Sequence, residues 1–283
     1  MSAPQRVLVT GASQGIGLAI ADSFAMAGAD VAICAREVAG LERAANALRE
    51  QHPGVRIEAR VADVSREEDV DALVAAVTSA FGGLDALIVN AGIYGPMGGI
   101  EDVDWRGWVD AIHINLLGAV YCTRAALPAL RRSARGKIVI LSGGGATKPL
   151  PFLSAYAASK AGVVRYGETL AEELREAGID VNMVAPGALN TRLLHEVLAA
   201  GPATVGDAFY EASLKQRESG GTPLTLGAEL CVFLASRDAD GITGKLVSAP
   251  WDPWRTFPAR REQLDGDVLT LRRIVPEDRG WSW

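Results

Sequence analysis

The sequence has few of the residues from which disulfide frameworks and metal centres are built. Among its 283 residues there are three cysteines and three histidines. The cysteines are odd in number and far apart, so the sequence predicts no disulfide framework. Neither the cysteines nor the histidines show a metal-ligand spacing, and we therefore expect no metal site.

Excess positive charge and long apolar runs are also missing. The formal net charge is −6 and the isoelectric point is near 5.2, which argues against nucleic acid and anionic membranes as partners. No apolar run reaches the ~18 residues that a membrane span requires. The chain also opens without the charged and then apolar segments of a signal peptide. We therefore expect a cytoplasmic protein that binds neither nucleic acid nor a membrane.

Short apolar segments alternate with longer helical patterns along the chain. The segments that favour strands are QRVLVT (5–10), DVAICA (30–35), VRIEARV (55–61), LDALIVN (84–90), GKIVILS (136–142), IDVNMVA (179–185) and GKLVSA (244–249). Helical patterns lie between them, which is typical of βαβ units. Several strands are apolar on both faces, as expected when helices cover both sides. We predict a single-domain α/β fold: a doubly wound, Rossmann-type parallel sheet of about seven strands with helices on both faces.

A glycine-rich segment joins the first strand to the first helix. In VLVTGASQGIG, Gly11, Gly15 and Gly17 follow the spacing G-x-x-x-G-x-G rather than the G-x-G-x-x-G of longer dehydrogenases. Glycines let the backbone approach a pyrophosphate, and a helix N-terminus favours its negative charge. A glycine-rich turn without a ligand is the alternative. The order of strand, turn and helix favours dinucleotide binding.

Tyr156 and Lys160 lie one helical turn apart, so they share one face of the predicted helix. This helix follows the fifth strand, at the sheet edge where open α/β folds bind ligands. An ammonium beside a phenol favours the phenolate and makes the pair a candidate for proton transfer. The alternative is a tyrosine packed against a helix beside a solvated lysine.

With these motifs the chain resembles the short-chain dehydrogenase/reductase family over about residues 5–250. The matching segments are TGASQGIG at 10–17, ADV at 62–64, NAG at 90–92, Asn115, the Tyr156–Lys160 pair, and PG at 186–187 followed by Thr191. The resemblance implies that Tyr156 transfers a proton, that Lys160 favours the phenolate and holds the nicotinamide ribose, and that Asn115 helps to retain a water that relays the proton.

The same resemblance, read with the glycine loop, gives a set of predicted cofactor-binding residues. They are Gly11, Ser13, Gln14, Gly15, Ile16, Gly17, Arg36, Asp63, Val64, Asn90, Ala91, Gly92, Tyr156, Lys160, Pro186, Gly187 and Thr191. Among them, Asp63 and the backbone of Val64 are expected to meet the adenine, and Thr191 is expected to bond the carboxamide of the nicotinamide.

The family also implies a serine that holds the reacting oxygen, thirteen residues before the tyrosine. That position is Gly143, and Ser142 lies one residue earlier. A one-residue slip reverses a side chain in a regular strand, but a bulge among the following glycines could rotate Ser142 inward. Thr147 and Ser154 are the other hydroxyls nearby. We predict Ser142 as the catalytic hydroxyl, and the alternative is that no side-chain hydroxyl serves.

The end of the second strand predicts the cofactor. Relatives that prefer NAD typically carry an acidic residue there, which accepts hydrogen bonds from the ribose hydroxyls. Here the strand ends at Ala35 and Arg36 follows, so a 2′-phosphate would meet a cation instead of a carboxylate. A solvated arginine opening the second helix is the alternative. We predict NADP, with NAD the less favoured cofactor.

The predicted function is therefore an NADP(H)-dependent oxidoreductase that interconverts an alcohol and a ketone or aldehyde. A 3-oxoacyl-thioester reductase and a cofactor-binding sensor or scaffold with weak turnover are the alternatives. The predicted pocket draws on Ile93, Tyr94, Pro149, Phe152, Leu189 and the segment 190–215. These residues are read as apolar or neutral except for Arg192, which favours a neutral or bulky small-molecule substrate. By resemblance we expect a homotetramer or homodimer.

Two regions break the alternation of strands and helices. Residues 187–225 show weak helix signal, and long insertions of this kind usually carry function. Residues 251–283 hold four of the six tryptophans, which a free tail would expose to water. We therefore predict a dinucleotide-binding and catalytic domain over 1–250 and a Trp-rich C-terminal extension over 251–283. The extension either docks near the pocket mouth, on its own or a neighbouring subunit, or is a plain packing extension.

Overall fold

The computed structural model describes residues 4–282, and within them seven strands form one parallel sheet. The strands are β1 (Arg6–Thr10), β2 (Asp30–Ala35), β3 (Ile57–Val61), β4 (Ala86–Val89), β5 (Lys137–Leu141), β6 (Asp180–Ala185) and β7 (Leu246–Ser248). Their order is β3-β2-β1-β4-β5-β6-β7. The order reverses between β1 and β4, where open sheets of this kind form a crevice at the carboxyl ends of the strands.

Helices cover both faces of the sheet. They are α1 (Gly15–Met26), α2 (Val38–Gln51), α3 (Glu67–Phe81), α4 (Trp105–Ile112), α5 (Gly118–Leu130), α6 (Ser154–Glu173), α7 (Arg192–Ala200), α8 (Pro202–Val205), α9 (Asp207–Ser219) and α10 (Leu224–Ala235). A π-helical segment, His113–Leu117, joins α4 to α5. Short 3₁₀ segments occupy Arg237–Ala239, Trp254–Leu264 and Pro276–Arg279. This architecture confirms the predicted doubly wound α/β fold.

Two buried clusters, one on each face, hold these layers together. Val7 and Val9 of β1 belong to the cluster that packs against α1, α2 and α10, whereas Leu8 belongs to the cluster under α3, α5 and α6. Successive side chains of a strand point to opposite faces, so a strand buried on both sides is apolar throughout. Local signals place the helix ends. Three acidic residues begin α3, and Gly82, with φ of 74°, follows its last residue.

The region after β6 is more helical than the sequence indicates. Helices α7, α8 and α9 fill much of the stretch 187–225, for which weak helix signal was expected. Gly201, Gly206 and Gly220 separate or end them, with φ values of 78°, 81° and 84°. Glycine adopts this left-handed conformation without steric penalty, so each short helix ends cleanly. The pieces pack on one another, and that support is not visible in a local periodicity.

The amino-terminal edge of the sheet carries a row of alternating charges. In sheet order, the residue at or just before each strand is Arg56, Asp30, Arg6, Asp85, Lys137, Asp180 and Lys245. Three ion pairs join neighbouring strands: Arg56 to Asp30 at 2.5 Å, Arg6 to Asp85 at 2.7 Å, and Lys137 to Asp180 at 2.7 Å. The Arg6 pair is bidentate, and the Lys137 ammonium is buried. We name this row the charge ladder.

Residues 250–282 follow β7 and pack on their own subunit. Trp254, Phe257 and Leu264 are buried in the cluster beneath α1 and α10. The backbone of Leu269 then accepts a hydrogen bond of 2.7 Å from Leu246 of β7, so this segment covers the free edge of the sheet. Trp251 stays largely exposed.

The same segment also reaches α6, but at a distance from the predicted pocket. Leu271 bonds the side chains of Arg165 and Glu168, in the middle of α6. Of the residues from 250 to 282, none lines the groove described below, and docking near the pocket mouth of a neighbouring subunit stays a prediction. Trp281 is exposed, and Trp283 lies outside the described residues.

Between residues 4 and 282, no helix combines the length and the apolar character needed to cross a lipid bilayer.

Candidate active site

A groove of about 860 Å³ lies at the carboxyl ends of β1, β2 and β4. Thirteen of the predicted cofactor-binding residues line it: Gly11, Ser13, Gln14, Gly15, Ile16, Gly17, Arg36, Asp63, Val64, Asn90, Ala91, Gly92 and Thr191. The groove therefore sits where the strand order reverses, and the N-terminus of α1 opens into it. An elongated anion with an apolar end would find helix N–H groups and small residues there.

Close packing explains why glycines occupy the loop before α1. A Cβ atom on Gly11 would lie 2.7 Å from Cα of Ala91, and one on Gly17 would lie 2.4 Å from Nδ2 of Asn90. The Asn90 amide donates to the carbonyl oxygens of Thr10 and Gly11 at 2.8 and 3.0 Å. The ends of β1 and β4 are thereby tied together, and the loop forms a fixed floor that any side chain would disrupt.

The far end of the groove is formed by the residues after β2. The exposed guanidinium of Arg36 lies 3.9 Å from the Asp63 carboxylate. Glu37 turns back on its own helix, where its carboxylate accepts hydrogen bonds from the N–H groups of Ala39 and Gly40. These bonds lower the pKa of Glu37, the larger contribution coming from Gly40. Arg36 is therefore the cation at this end, and the neighbouring carboxylate is engaged by the start of α2.

Asn115 links the groove floor to the helix that carries Tyr156. Its side chain accepts a hydrogen bond from the Ile93 N–H and donates to the Ile93 carbonyl, each at 2.8 Å. It also donates to Ser159 Oγ at 2.9 Å, and Ser159 in turn donates to the carbonyl of Tyr156 at 2.8 Å. Asn115 lies in the π-helical segment, where the wider turn presents it to both partners.

Lys160 projects from α6 toward the end of β5. Its ammonium donates to the Leu141 carbonyl at 2.7 Å and lies 5.9 Å from the ring centroid of Tyr156. A Cβ atom on Gly92 would lie 3.2 Å from Oδ1 of Asn115 and 3.6 Å from Nζ of Lys160. Gly92 therefore keeps open the space between the groove, Asn115 and the lysine.

Burial sets the protonation of the tyrosine and the lysine. It raises the pKa of Tyr156 far above its usual value, and Tyr94 adds a smaller effect in the same direction. Burial lowers the pKa of Lys160 to about 8. The low-dielectric surroundings disfavour both charged forms, so the ammonium alone does not produce the acidic phenol expected from the sequence.

These residues match a known family in sequence as well as in position. Residues 5–200 match the family model described as short chain dehydrogenase. The chain belongs to the short-chain dehydrogenase family.

Relatives and solved structures of this family cover most of the chain. Dehydrogenase/reductase SDR family member 4 from Sus scrofa is 34% identical over 240 residues, which span 85% of this chain and 84% of the relative. The structure of levodione reductase superposes with a TM-score of 0.79 at 30% identity, covering 86% of this chain and 95% of that chain. A variant of actinorhodin polyketide ketoreductase with NADPH gives a TM-score of 0.79 at 31% identity, covering 88% and 97%. The protein is thus a pyridine-nucleotide-dependent oxidoreductase that acts on small molecules.

Ser142 does not face the tyrosine in this short-chain dehydrogenase. Its Oγ is buried without a hydrogen-bond partner among the described residues, and its N–H continues the pairing of β5 with β6 by bonding Val184. The next residue points toward the phenol instead, because a Cβ atom on Gly143 would lie 2.1 Å from the Tyr156 hydroxyl oxygen. Side chains alternate along an extended chain. This geometry contradicts the prediction that a bulge turns Ser142 inward.

Four predicted cofactor-binding residues are not part of the groove lining: Tyr156 and Lys160, described above, and Pro186 and Gly187. Pro186 packs near Gly227 of α10, and a Cβ atom on Gly187 would lie 2.5 Å from Oγ1 of Thr222. The structure gives both a packing role at the end of β6, and their contact with a cofactor stays a prediction.

The structure adds Ser159 to the site and shows the surroundings of Tyr94, Arg192 and His195, which belong to the predicted pocket. The Tyr94 ring meets the Tyr156 ring edge-on, with centroids 4.6 Å apart. Ser159 completes the link from Asn115 to Tyr156. Arg192 and His195 line the groove from the start of α7, opposite the glycine loop. Ser159 directly precedes Lys160 and could have been noticed from the sequence.

Proposed function

We propose that the protein is an NADP(H)-dependent oxidoreductase that interconverts an alcohol and a ketone or aldehyde, with Tyr156 as the acid–base group. The observation that carries the proposal is the hydrogen-bonded chain from Asn115 through Ser159 to Tyr156, with Lys160 one helical turn further, at the edge of a groove floored by glycines. The coincidence of a buried phenol, a buried ammonium and a groove that suits a pyrophosphate supports this function.

The groove has the shape and chemistry that a nicotinamide dinucleotide needs. The N–H groups at the start of α1 would bind the pyrophosphate, and Asp63 and Val64, which line the groove, would meet the adenine. Gly92 leaves a gap toward Lys160. Such a cofactor supplies a hydride donor or acceptor when bound. Lys160 then holds the ribose, and Tyr156 gives its proton to the carbonyl oxygen in reduction or takes it from the alcohol in oxidation.

The charge of Lys160 is the main contribution of the chain to the acidity of the phenol. Because burial alone raises the pKa of Tyr156, positive charge must come close to it when the proton moves. Lys160 is anchored on Leu141 at 2.7 Å and cannot turn away from the site without losing that bond. The oxidised nicotinamide ring is also positive, and its charge adds to that of the lysine.

A panel of carbonyl compounds tests this function directly. Oxidation of NADPH is followed with aliphatic, cyclic and aromatic ketones and aldehydes and with 3-oxoacyl thioesters, and Tyr156→Phe is the matched control. We expect turnover of at least one class by the unmodified protein and none by the variant. Turnover that survives in Tyr156→Phe would exclude the mechanism.

The preference for NADP rests on Arg36. An exposed guanidinium after β2, a strand that ends in Ala35 rather than a carboxylate, and a Glu37 side chain engaged by its own helix all favour a 2′-phosphate. Titration of the unmodified protein with NADPH and NADH checks this preference. Equal affinity for the two would show that the assignment to NADP is wrong.

A neutral substrate is favoured by the charges near Tyr156. Arg192 is the cation that the sequence offers in this region, and it pairs with Glu196 on the same helix. Aromatic surface dominates the rest: Tyr94 contacts Tyr156, and Phe152 packs against Gly206, where a Cβ atom would lie 2.9 Å from the ring. A carbonyl compound without a carboxylate or phosphate suits this lining. The carbonyl panel therefore includes charged and neutral members of each class.

A cofactor-binding sensor with weak turnover is the second candidate. Gly143 favours it, since the family position for the catalytic serine carries no side chain. Tight NADPH binding without turnover across the whole panel would support this alternative.

Assembly and location complete the proposal. We propose a homotetramer or homodimer, which light scattering of the purified protein would test.

We also propose a cytoplasmic location, which the three buried, unpaired cysteines support because thiols stay reduced in that compartment. Imaging of a tagged chain would test it.

A further inference from the structure

The segment after β5 forms a tight turn against the start of α6. The Ala146 N–H donates to the Gly143 carbonyl at 3.3 Å, which closes a turn over residues 143–146. Gly145 occupies its third position with φ of 91°, as a type II turn requires. A Cβ atom there would lie 2.9 Å from Cα of Ala157. The turn is therefore held directly against the residue that follows Tyr156.

This turn begins beside the Tyr156 hydroxyl. A Cβ atom on Gly143 would overlap the hydroxyl oxygen, at 2.1 Å. A Cβ atom on Gly144 would meet nothing within 4 Å, and this residue is exposed. The turn therefore carries no side chain where it meets the phenol, and the position of a Gly144 side chain is open.

The hydroxyl groups nearby are engaged elsewhere or lie apart from the phenol. Ser142 Oγ is buried without a partner, Ser154 Oγ accepts a hydrogen bond of 3.0 Å from the Trp108 indole, and Thr147 is exposed. Within residues 4–282, none of these three hydroxyls is hydrogen-bonded to Tyr156.

The turn itself offers donors. Across the described residues, the N–H groups of Gly143, Gly144 and Gly145 donate no hydrogen bond to the protein. Main-chain N–H groups commonly stabilise negative charge that develops on a reacting oxygen, and removal of one such donor lowers kcat by roughly 10²–10³-fold. The turn 143–146 therefore has N–H groups without an acceptor among the described residues, has no side chain at Gly144, and contacts the Tyr156 hydroxyl.

We propose that the main-chain N–H of Gly144, with that of Gly143 beside it, holds the reacting oxygen in place of a side-chain hydroxyl. This inference rests on the proposed reduction of a carbonyl compound. In that reaction the carbonyl carbon gains a hydride from reduced nicotinamide, which is oxidised, and the carbonyl oxygen gains the proton of Tyr156. The amide groups donate hydrogen bonds to that oxygen as its negative charge develops, and they form no covalent bond.

Two substitutions at one position isolate the amide hydrogen. Gly144→Ala keeps the N–H and adds a methyl group to open space. Gly144→Pro removes the N–H, and proline is favoured at the second position of a type II turn, so the turn is expected to form. We expect kcat of Gly144→Pro to lie roughly 10²-fold below that of Gly144→Ala, the matched variant whose N–H is intact. The affinity for NADPH, measured by fluorescence titration, and the thermal midpoint should stay unchanged in both.

Ser142→Ala gives an independent test that does not depend on the turn. We expect its kcat to stay within about threefold of the unmodified value, because Ser142 Oγ is buried and not hydrogen-bonded to Tyr156. A loss of roughly 10²-fold in Ser142→Ala would overturn the inference in favour of the serine. Retained kcat in Gly144→Pro would overturn it as well.

The proposed function is measured separately, by turnover of the unmodified protein that is absent from Tyr156→Phe. If that pair behaves as expected while Ser142→Ala is inactive, only the present inference fails. If the unmodified protein turns over no carbonyl compound, both fail together.

Discussion

The two edges of the sheet differ in how their ionisable side chains are paired. At the carboxyl edge, small residues and glycines leave space, and the ionisable groups Tyr156 and Lys160 are buried without an opposite charge beside them. At the amino edge, every charge of the ladder from Arg56 to Asp180 has an oppositely charged partner on a neighbouring strand. The comparison shows how the fold separates chemistry from stability. Groups that must change protonation lie at one end, and groups that must not change lie at the other.

The largest expected effect is at the carboxyl edge. Tyr156→Phe should lower kcat by ~10³-fold or more, since it removes the proton donor while leaving the ring packing in place. Steady-state kinetics measures the loss, and NADPH titration should show affinity within about twofold of the unmodified protein. Unfolding by denaturant should be unchanged, because the hydroxyl makes no hydrogen bond among the described residues. A large drop in the free energy of unfolding would mean that the Tyr156 hydroxyl also stabilises the fold, which contradicts the difference between the two edges.

The matching change at the amino edge should act on stability alone. Asp180→Ala removes a carboxylate that lies 2.7 Å from the buried Lys137 ammonium, and Asp240 remains as its other partner at 2.8 Å. Breaking a buried pair typically costs about 3–5 kcal/mol, and with Asp240 in place we expect about 3 kcal/mol. Urea unfolding measures the loss, with Asp180→Asn as the milder control. Turnover per folded molecule should stay within about twofold. Loss of turnover at full stability would contradict the separation.

Lys160→Met should give the opposite result to Asp180→Ala, a more stable protein. Burial lowers the pKa of Lys160 to about 8 from 10.5, so the folded state pays a penalty for the charged form at neutral pH. Removing that charge should raise the free energy of unfolding by about 1–3 kcal/mol, while turnover is lost.

The pH dependence of this gain has a defined sign. Between pH 8 and 10.5 the unfolded chain binds the Lys160 proton and the folded chain does not, so the stability contributed by this site rises with pH. The advantage of Lys160→Met is therefore full below pH 8 and shrinks as the pH rises through that window. Unfolding curves at about pH 7 and about pH 9.5 measure it. An advantage that grew with pH would show that the lysine is stabilised by its surroundings.

The smallest effect concerns cofactor choice. Arg36→Ala should weaken NADPH binding roughly tenfold, about 1.4 kcal/mol, because one charge-assisted contact with an exposed guanidinium is lost. NADH binding should change less than about twofold. Arg66→Ala removes another exposed arginine that does not line the groove and serves as the control. Equal weakening of both cofactors would mean that Arg36 acts on the loop rather than on the 2′-phosphate.

Much of the fold could be predicted because its signals are local. A strand such as KIVIL in β5 is apolar on both faces, and acidic residues open α3. The helices α7 to α9 gave little signal because they have nine, four and thirteen residues and depend on packing against one another. The charge ladder was visible only as scattered charges at strand starts. Its pairing follows from the strand order, which places β1 beside β4.

The site divides in the same way. The four-residue spacing of Tyr156 and Lys160 predicts a shared helix face, and the glycine spacing before α1 predicts close approach of backbone to a ligand. The direction of Ser142 could not be predicted, because one residue along an extended chain reverses a side chain. The protonation of the pair also needed the structure, since burial raises the pKa of Tyr156 and lowers that of Lys160.

The segment that covers β7 has a consequence for biosynthesis. Residues 254–271 leave the ribosome after every strand of the sheet has been made, yet Trp254 and Phe257 fill part of the core and Leu269 bonds the outermost strand. During synthesis the sheet edge therefore stays open, and an open edge is a template for pairing with another chain. An early stop in translation near residue 250 would release a chain whose catalytic groups are present and whose β7 edge is unprotected. A pause at the same place would leave that edge open for longer.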